Sequence, residues 1–100
     1  MIRKATLNDF VRIKNLISIL EDKEYDEKKM FEIYKKHLET DKYKYFVYEE
    51  EKIIGMISFL IKETLHHNSL TGEIIELCIL PEYRNKGIGE KLLKYIERLA

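Results

Sequence analysis

Glu73-Ile74-Ile75-Glu76-Leu77-Cys78-Ile79-Leu80-Pro81-Glu82-Tyr83-Arg84-Asn85-Lys86-Gly87-Ile88-Gly89 carries a strand into a helix through a glycine-bearing turn. The first eight residues are rich in β-branched and apolar side chains, and Pro81 ends the strand they predict. Gly87 then opens a helix, with Ile88, Leu92, Ile96 and Leu99 on one face and Leu93 widening the stripe. Such a junction binds anions. The first amides of a helix lack intrahelical acceptors and point outward together, and the helix dipole adds partial positive charge there. Glycine lets the backbone approach a phosphate and adopt positive φ. Arg84 and Lys86 add charge beside those amides.

Upstream, Tyr45 and Val47 alternate with Phe46 and Tyr48, which predicts a strand from Tyr43 with two apolar faces. Glu49-Glu50-Glu51-Lys52 is its turn, and Ile53 to Ile61 is the return strand of an antiparallel hairpin. Gly55 interrupts that strand, the mark of a bulge or a close backbone approach. Nearer the start, Ile2 to Ala5 reads as a short strand and Thr6-Leu7-Asn8-Asp9 as a capping box. Phe10, Ile13, Leu16, Ile17 and Leu20 follow at helical spacing. Asp26 caps a second helix with Met30, Ile33, Tyr34, His37 and Leu38 on one face, closed by Thr40-Asp41-Lys42. The order β-α-α-β-β-β-α predicts an α+β fold on a mostly antiparallel sheet, a single domain over residues 1–100.

Lys and Arg number 18, as do Asp and Glu, so the formal charge is +0. No global basic field recruits nucleic acid or an anionic membrane, and any anion site is local. Cys78 is the single cysteine, which excludes an intrachain disulfide and fits a reducing compartment. The N-terminus lacks the apolar run of a signal peptide, and no stretch reaches membrane-span length, so a cytoplasmic protein is expected.

Spacing separates the phosphate-binding turns. A P-loop needs Lys-Ser/Thr after its last glycine, where this chain has Glu90-Lys91. A dinucleotide fingerprint needs a third glycine three residues on, where this chain has Leu92. Arg84-Asn85-Lys86-Gly87-Ile88-Gly89 instead resembles the Arg/Gln-x-x-Gly-x-Gly/Ala signature of the GNAT N-acetyltransferases. The likeness extends through Glu73 to Tyr83, which resembles that family's fourth strand and following turn, and into Glu90-Lys91-Leu92-Leu93. Ile2 to Asp9 resembles its usual opening, and Lys52-Ile53-Ile54-Gly55 its hairpin.

That resemblance implies acetyl-CoA as cosubstrate, no metal, and transfer of acetyl to a primary amine by direct attack. The amine would be a small molecule or a peptide. The amides of Asn85, Lys86, Gly87, Ile88 and Gly89 would cradle the pyrophosphate, flanked by Arg84 and Lys86. Leu77, Cys78 and Ile79 would line the pantetheine arm, with an amide near Cys78 or Ile79 at the thioester carbonyl. Glu76 and Glu73 are the candidate general bases, Glu76 nearer the expected thioester. Cys78 reads as a small buried hydrophobe rather than an acyl relay. His66 and His67 are adjacent without a third ligand, a poor metal site in a solvent-facing loop. His37 reads as a satisfied core residue and Tyr83 as packing at the loop base.

Family members continue beyond this helix, so the resemblance also implies that their C-terminal strands are lacking here. The strand at 73–80 would then have an open edge, which a second copy in a homo-oligomer is expected to cover. A non-catalytic acetyl-CoA-binding module is the alternative reading.

Overall fold

The computed structural model describes residues 1–64 and 69–99. Its elements are β1 (Ile2–Lys4), α1 (Phe10–Glu21), α2 (Glu27–Leu38), β2 (Tyr43–Glu50), β3 (Lys52–Thr64), β4 (Ser69–Ile79) and α3 (Ile88–Leu99). Short 3-10 turns precede α1 at Leu7–Asp9 and α3 at Pro81–Tyr83. The strands form one antiparallel sheet in the order β1-β2-β3-β4, so the α+β architecture is the expected one. The outer edge of β4 has no strand partner among the described residues.

Each face of the sheet carries its own core because β2 and β3 are apolar on both sides. Tyr45, Val47 and Met56 pack beneath α1 and α2 with Phe10, Ile13, Leu16 and Tyr34. Phe46, Ile54, Ile57 and Phe59 pack against Ile88 and Leu92 of α3 on the other face. The strict alternation of residues 45–48 is therefore read correctly. Its physical cause is the two-residue repeat of an extended chain covered by helices on both sides.

The opening staple is a charged knot. Arg3 on β1 donates to both carboxylate oxygens of Asp9 at 2.8 and 2.9 Å and to Glu49 of β2 at 2.9 Å. Asp9 also accepts from the Thr6 amide at 2.8 Å, the reach-back expected of the capping box. At the start of α2, the Asp26 carboxylate accepts from the Lys29 amide at 3.2 Å, the cap the sequence predicts.

The hairpin of β3 and β4 is longer than its apolar residues suggest. Its ladder runs out to Thr64 opposite Ser69, so Ser69 belongs to a strand and not to a loop. Backbone pairing continues past the last apolar alternation because the ladder hydrogen bonds do not depend on side-chain polarity. Of the loop expected at residues 66–69, with its two histidines, residues 66–68 lie outside the described residues.

Gly55 serves a close approach. A Cβ built there would lie 2.8 Å from Ile79 Cδ1 and 3.5 Å from Ile88 Cγ2, so the bare backbone lets the α3 junction settle on β3. A bulge also falls beside it, where β2 and β3 shift register between Tyr48 and Glu49.

Candidate functional site

A second bulge shapes β4. Ser58 faces Glu76, but the next residue, Phe59, faces Ile74, which leaves Ile75 as the extra residue. Glu73 and Glu76 are three apart and would sit on opposite faces of a regular strand. The bulge resets the phase. Ile74 lies on the α3 side, whereas Ile75 and Glu76 both line a cleft on the α1–α2 side.

That cleft has a volume of about 450 Å³ and lies between α1, α2 and the bulge of β4. Phe10, Ile13, Ile17 and Tyr34 form its buried floor. Glu76 enters from β4 and accepts a hydrogen bond of 2.5 Å from the buried hydroxyl of Ser58. His37 and Tyr45 form the wall, joined by a 2.7 Å hydrogen bond at His37 Nδ1. The His37 ring also stacks on Tyr43 with centroids 3.6 Å apart. Burial lowers the His37 pKa against the opposing pull of Glu76, so the ring is neutral at neutral pH. Burial drives the Tyr45 hydroxyl well above its usual range, and the Glu76 charge adds to that. Glu73 sits farther along β4, ion-paired with Lys62 and outside the cleft lining.

The turn after β4 has the geometry of an anion cradle. Asn85 (φ 64°) and Gly87 (φ 79°) are both left-handed, and between them the chain reverses into α3. The helix proper starts at Ile88, with Gly87 opening it as expected. Gly87 supplies the first carbonyl, which accepts from Lys91 at 3.0 Å. The N–H groups of residues 85–90 find no acceptor among the described residues. A Cβ on Gly87 would meet nothing within 4 Å, so the protein itself leaves the space in front of the turn open. Arg84 donates from Nε to the Ile79 carbonyl at 3.2 Å, which ties the turn to the end of β4. Tyr83 packs against the α3-side core as expected, with Lys86 Nζ 5.6 Å from its ring centroid.

Ladder alternation orders the β4 amides. Leu80 N–H bonds inward to Ile54 at 2.9 Å, and Ile79 presents its carbonyl outward to Arg84. The outward amides are therefore those of Leu77 and Ile79, while that of Cys78 faces β3. The Cys78 thiol is buried under α1, and desolvation, aided by the nearby Glu76 charge, pushes it up to about 12.

The profile of the acetyltransferase (GNAT) family matches residues 9–100. The chain belongs to that family. Among solved GNAT-like structures, a possible acetyltransferase from Clostridium difficile superposes with a TM-score of 0.84 at 30% identity, covering 99% of this chain and 69% of that one. A putative acetyltransferase from Agrobacterium tumefaciens reaches a TM-score of 0.89 at 18% identity, covering 100% and 72%, a likeness of fold. Aminoalkylphosphonate N-acetyltransferase of Salmonella typhimurium is 43% identical over 49 residues, which are 49% of this chain and 32% of that protein. The present chain thus matches about a third of that relative's length. The GNAT family uses acetyl-CoA as cosubstrate. Among the described residues, no group of three His, Cys, Asp or Glu side chains could hold a metal ion. No described helix is long and apolar enough to cross a membrane.

Two features of this GNAT chain escaped the sequence reading. The β4 bulge was signalled by Glu73-Ile74-Ile75-Glu76, where two adjacent isoleucines break the two-residue repeat. The cleft was signalled by nothing local, because α1, α2 and β4 meet only in the fold. His37 is satisfied, as expected, yet it lines that cleft rather than the closed core.

Proposed function

We propose that this chain binds acetyl-CoA at the turn of residues 84–89 and acts as an N-acetyltransferase on an amine held in the α1–α2 cleft. The observation that carries the reading is the placement of two unlike sites on one strand. Unclaimed amides and Arg84 stand at the end of β4, and the Glu76 carboxylate stands in the cleft at its bulge.

The fit to the cosubstrate rests on the turn. Its free N–H groups suit phosphate oxygens, Gly87 leaves room for them, and Arg84 and Lys86 bring positive charge. When bound, acetyl-CoA supplies an acetyl group activated as a thioester. The chain's own residues do the rest. The outward amides of Leu77 and Ile79 are the donors available to a carbonyl oxygen along the β4 edge, and the Cys78 amide is not. Glu76 takes the proton that a substrate ammonium must lose before its nitrogen can attack, directly or through one water. Ser58 fixes the carboxylate by donating to Oε1. Glu73, engaged with Lys62 outside the cleft, contributes charge near the edge rather than proton transfer. An amine acceptor agrees with the Salmonella relative, whose name specifies an aminoalkylphosphonate.

Release of free coenzyme A thiol from acetyl-CoA, followed with a panel of amines, tests the reading. Glu76→Gln is expected to lower kcat/KM by about a hundredfold or more while coenzyme binding is retained. Equal rates for the variant and the parent protein would remove Glu76 from the chemistry. Tight coenzyme binding without thiol release would leave only a binding module.

A further inference from the structure

We infer that the acceptor is a primary monoamine on an apolar body, aromatic or aliphatic, and not an amine carrying a phosphate, phosphonate or several further charges. This inference rests on the proposed function and concerns the same cleft.

Three observations converge on it. The floor is made of side chains that are almost fully withdrawn from water, among them Ile13 at 2% and Tyr34 at 4% exposure. Part of the rim is apolar as well. Leu20, Ile33 and Ile75 are 46%, 54% and 47% exposed, although the helical spacing of Leu20 and Ile33 assigns them to the core. Large apolar side chains held at the mouth of a cavity gain free energy when a ligand covers them. The charges give the third observation. Among the described lining residues the carboxylates are Glu21, Asp26 and Glu76, against the single cation Lys29, with His37 held neutral. The cleft therefore favours one ammonium, seated at Glu76, and repels an anionic substituent on the same ligand. Its volume of about 450 Å³ suits a drug-sized or smaller molecule.

The polar groups are also placed for such a ligand. Tyr34 spends its hydroxyl on the Thr6 carbonyl at 2.6 Å, and Tyr45 spends its own on His37. Both rings thus offer carbon faces to the cleft while their hydroxyls are already paired. Glu76 at the β4 bulge is the polar anchor, at the end of the cleft nearest the edge where acetyl transfer is proposed.

The test is an NMR titration of the whole chain, reading the tyrosine and His37 ring signals, with ethylamine, butylamine, hexylamine, phenethylamine and 2-aminoethylphosphonate as probes. Affinity is expected to rise by about fourfold per added methylene along the alkylamines. Phenethylamine should perturb Tyr34, Tyr45 and His37, and the phosphonate should bind at least about tenfold more weakly. Ile33→Glu, a change at an exposed rim position, should flatten the chain-length series while leaving the fold intact. Coenzyme A binding is measured by calorimetry on the same samples. If coenzyme A binds but affinity is independent of chain length, or the phosphonate binds best, this inference fails and the proposed function stands. If the cleft ignores every amine because sedimentation shows a second copy closing it, the inference fails as well. Absence of coenzyme A binding would instead strike the proposed function.

Discussion

Cys78 should be chemically silent in the folded protein. It is the only cysteine, it is 1% exposed, and its thiol is pushed up to about 12 from an ordinary 9.0, first by burial and second by the Glu76 charge. Thiolate is the reactive form, and raising the thiol from 9.0 to about 12 suppresses it about a thousandfold at a fixed pH. Burial adds a steric barrier to this. The assay is reaction with a chromogenic disulfide in mildly alkaline buffer, native and in concentrated guanidinium. Unfolded chain should react at the rate of a free thiol, and native chain at least about a thousandfold more slowly, at a pace set by opening of the fold. Native labelling within about tenfold of the free-thiol rate would refute the burial of Cys78 under α1. The same silence lets the reagent report coenzyme A thiol released in turnover without background from the protein. Cys78→Ala should preserve that turnover, and its loss would reinstate an acyl relay through sulfur.

Gly55→Ala places a methyl 2.8 Å from Ile79 Cδ1 and 3.4 Å from the Cys78 carbonyl oxygen. The isoleucine end can swing aside but the carbonyl cannot, so a loss of about 1 kcal/mol and a fall in Tm of about 4–8 °C are expected in thermal unfolding, and an unchanged Tm would contradict the close approach. The Arg3 hydrogen bonds hold the Asp9 carboxyl below its usual range in spite of burial. A depressed carboxylate stabilises the fold above its unfolded pKa, and that contribution is lost as pH falls through the folded value. Urea midpoints should therefore drop as pH is lowered below about 4, and less steeply in Asp9→Asn; identical acid profiles for the two proteins would refute the assignment.

Much of the fold was legible because local signals agreed with the tertiary result. The Asp26 cap, the Thr6–Asp9 box, the two-faced alternation of β2 and the glycine turn are all short-range features, and each is satisfied within a few residues or by one neighbouring strand. The candidate site was legible only at its proposed anion end, where Arg84 to Gly89 is contiguous in sequence. The cleft end is assembled from α1, α2 and a bulge, so its residues are scattered. Leu20 and Ile33 looked like core because helical periodicity marks the inward face and not what lies opposite it. In the structure they face a gap between helices, and their exposure is what marks the cleft. Glu73 and Glu76 both read as candidate bases, with Glu76 nearer the expected thioester, but the bulge that puts Glu76 in the cleft and leaves Glu73 on Lys62 outside it emerges only in the fold.

The most direct test of the account is a calorimetric comparison of coenzyme A with pantetheine, which keeps the thiol arm and lacks the pyrophosphate. If the amides of residues 85–89 and Arg84 hold phosphate, coenzyme A should bind at least about a hundredfold more tightly, the worth of one or two charge-assisted hydrogen bonds. Equal affinity for the two, or no heat with coenzyme A, would contradict the assignment of this turn.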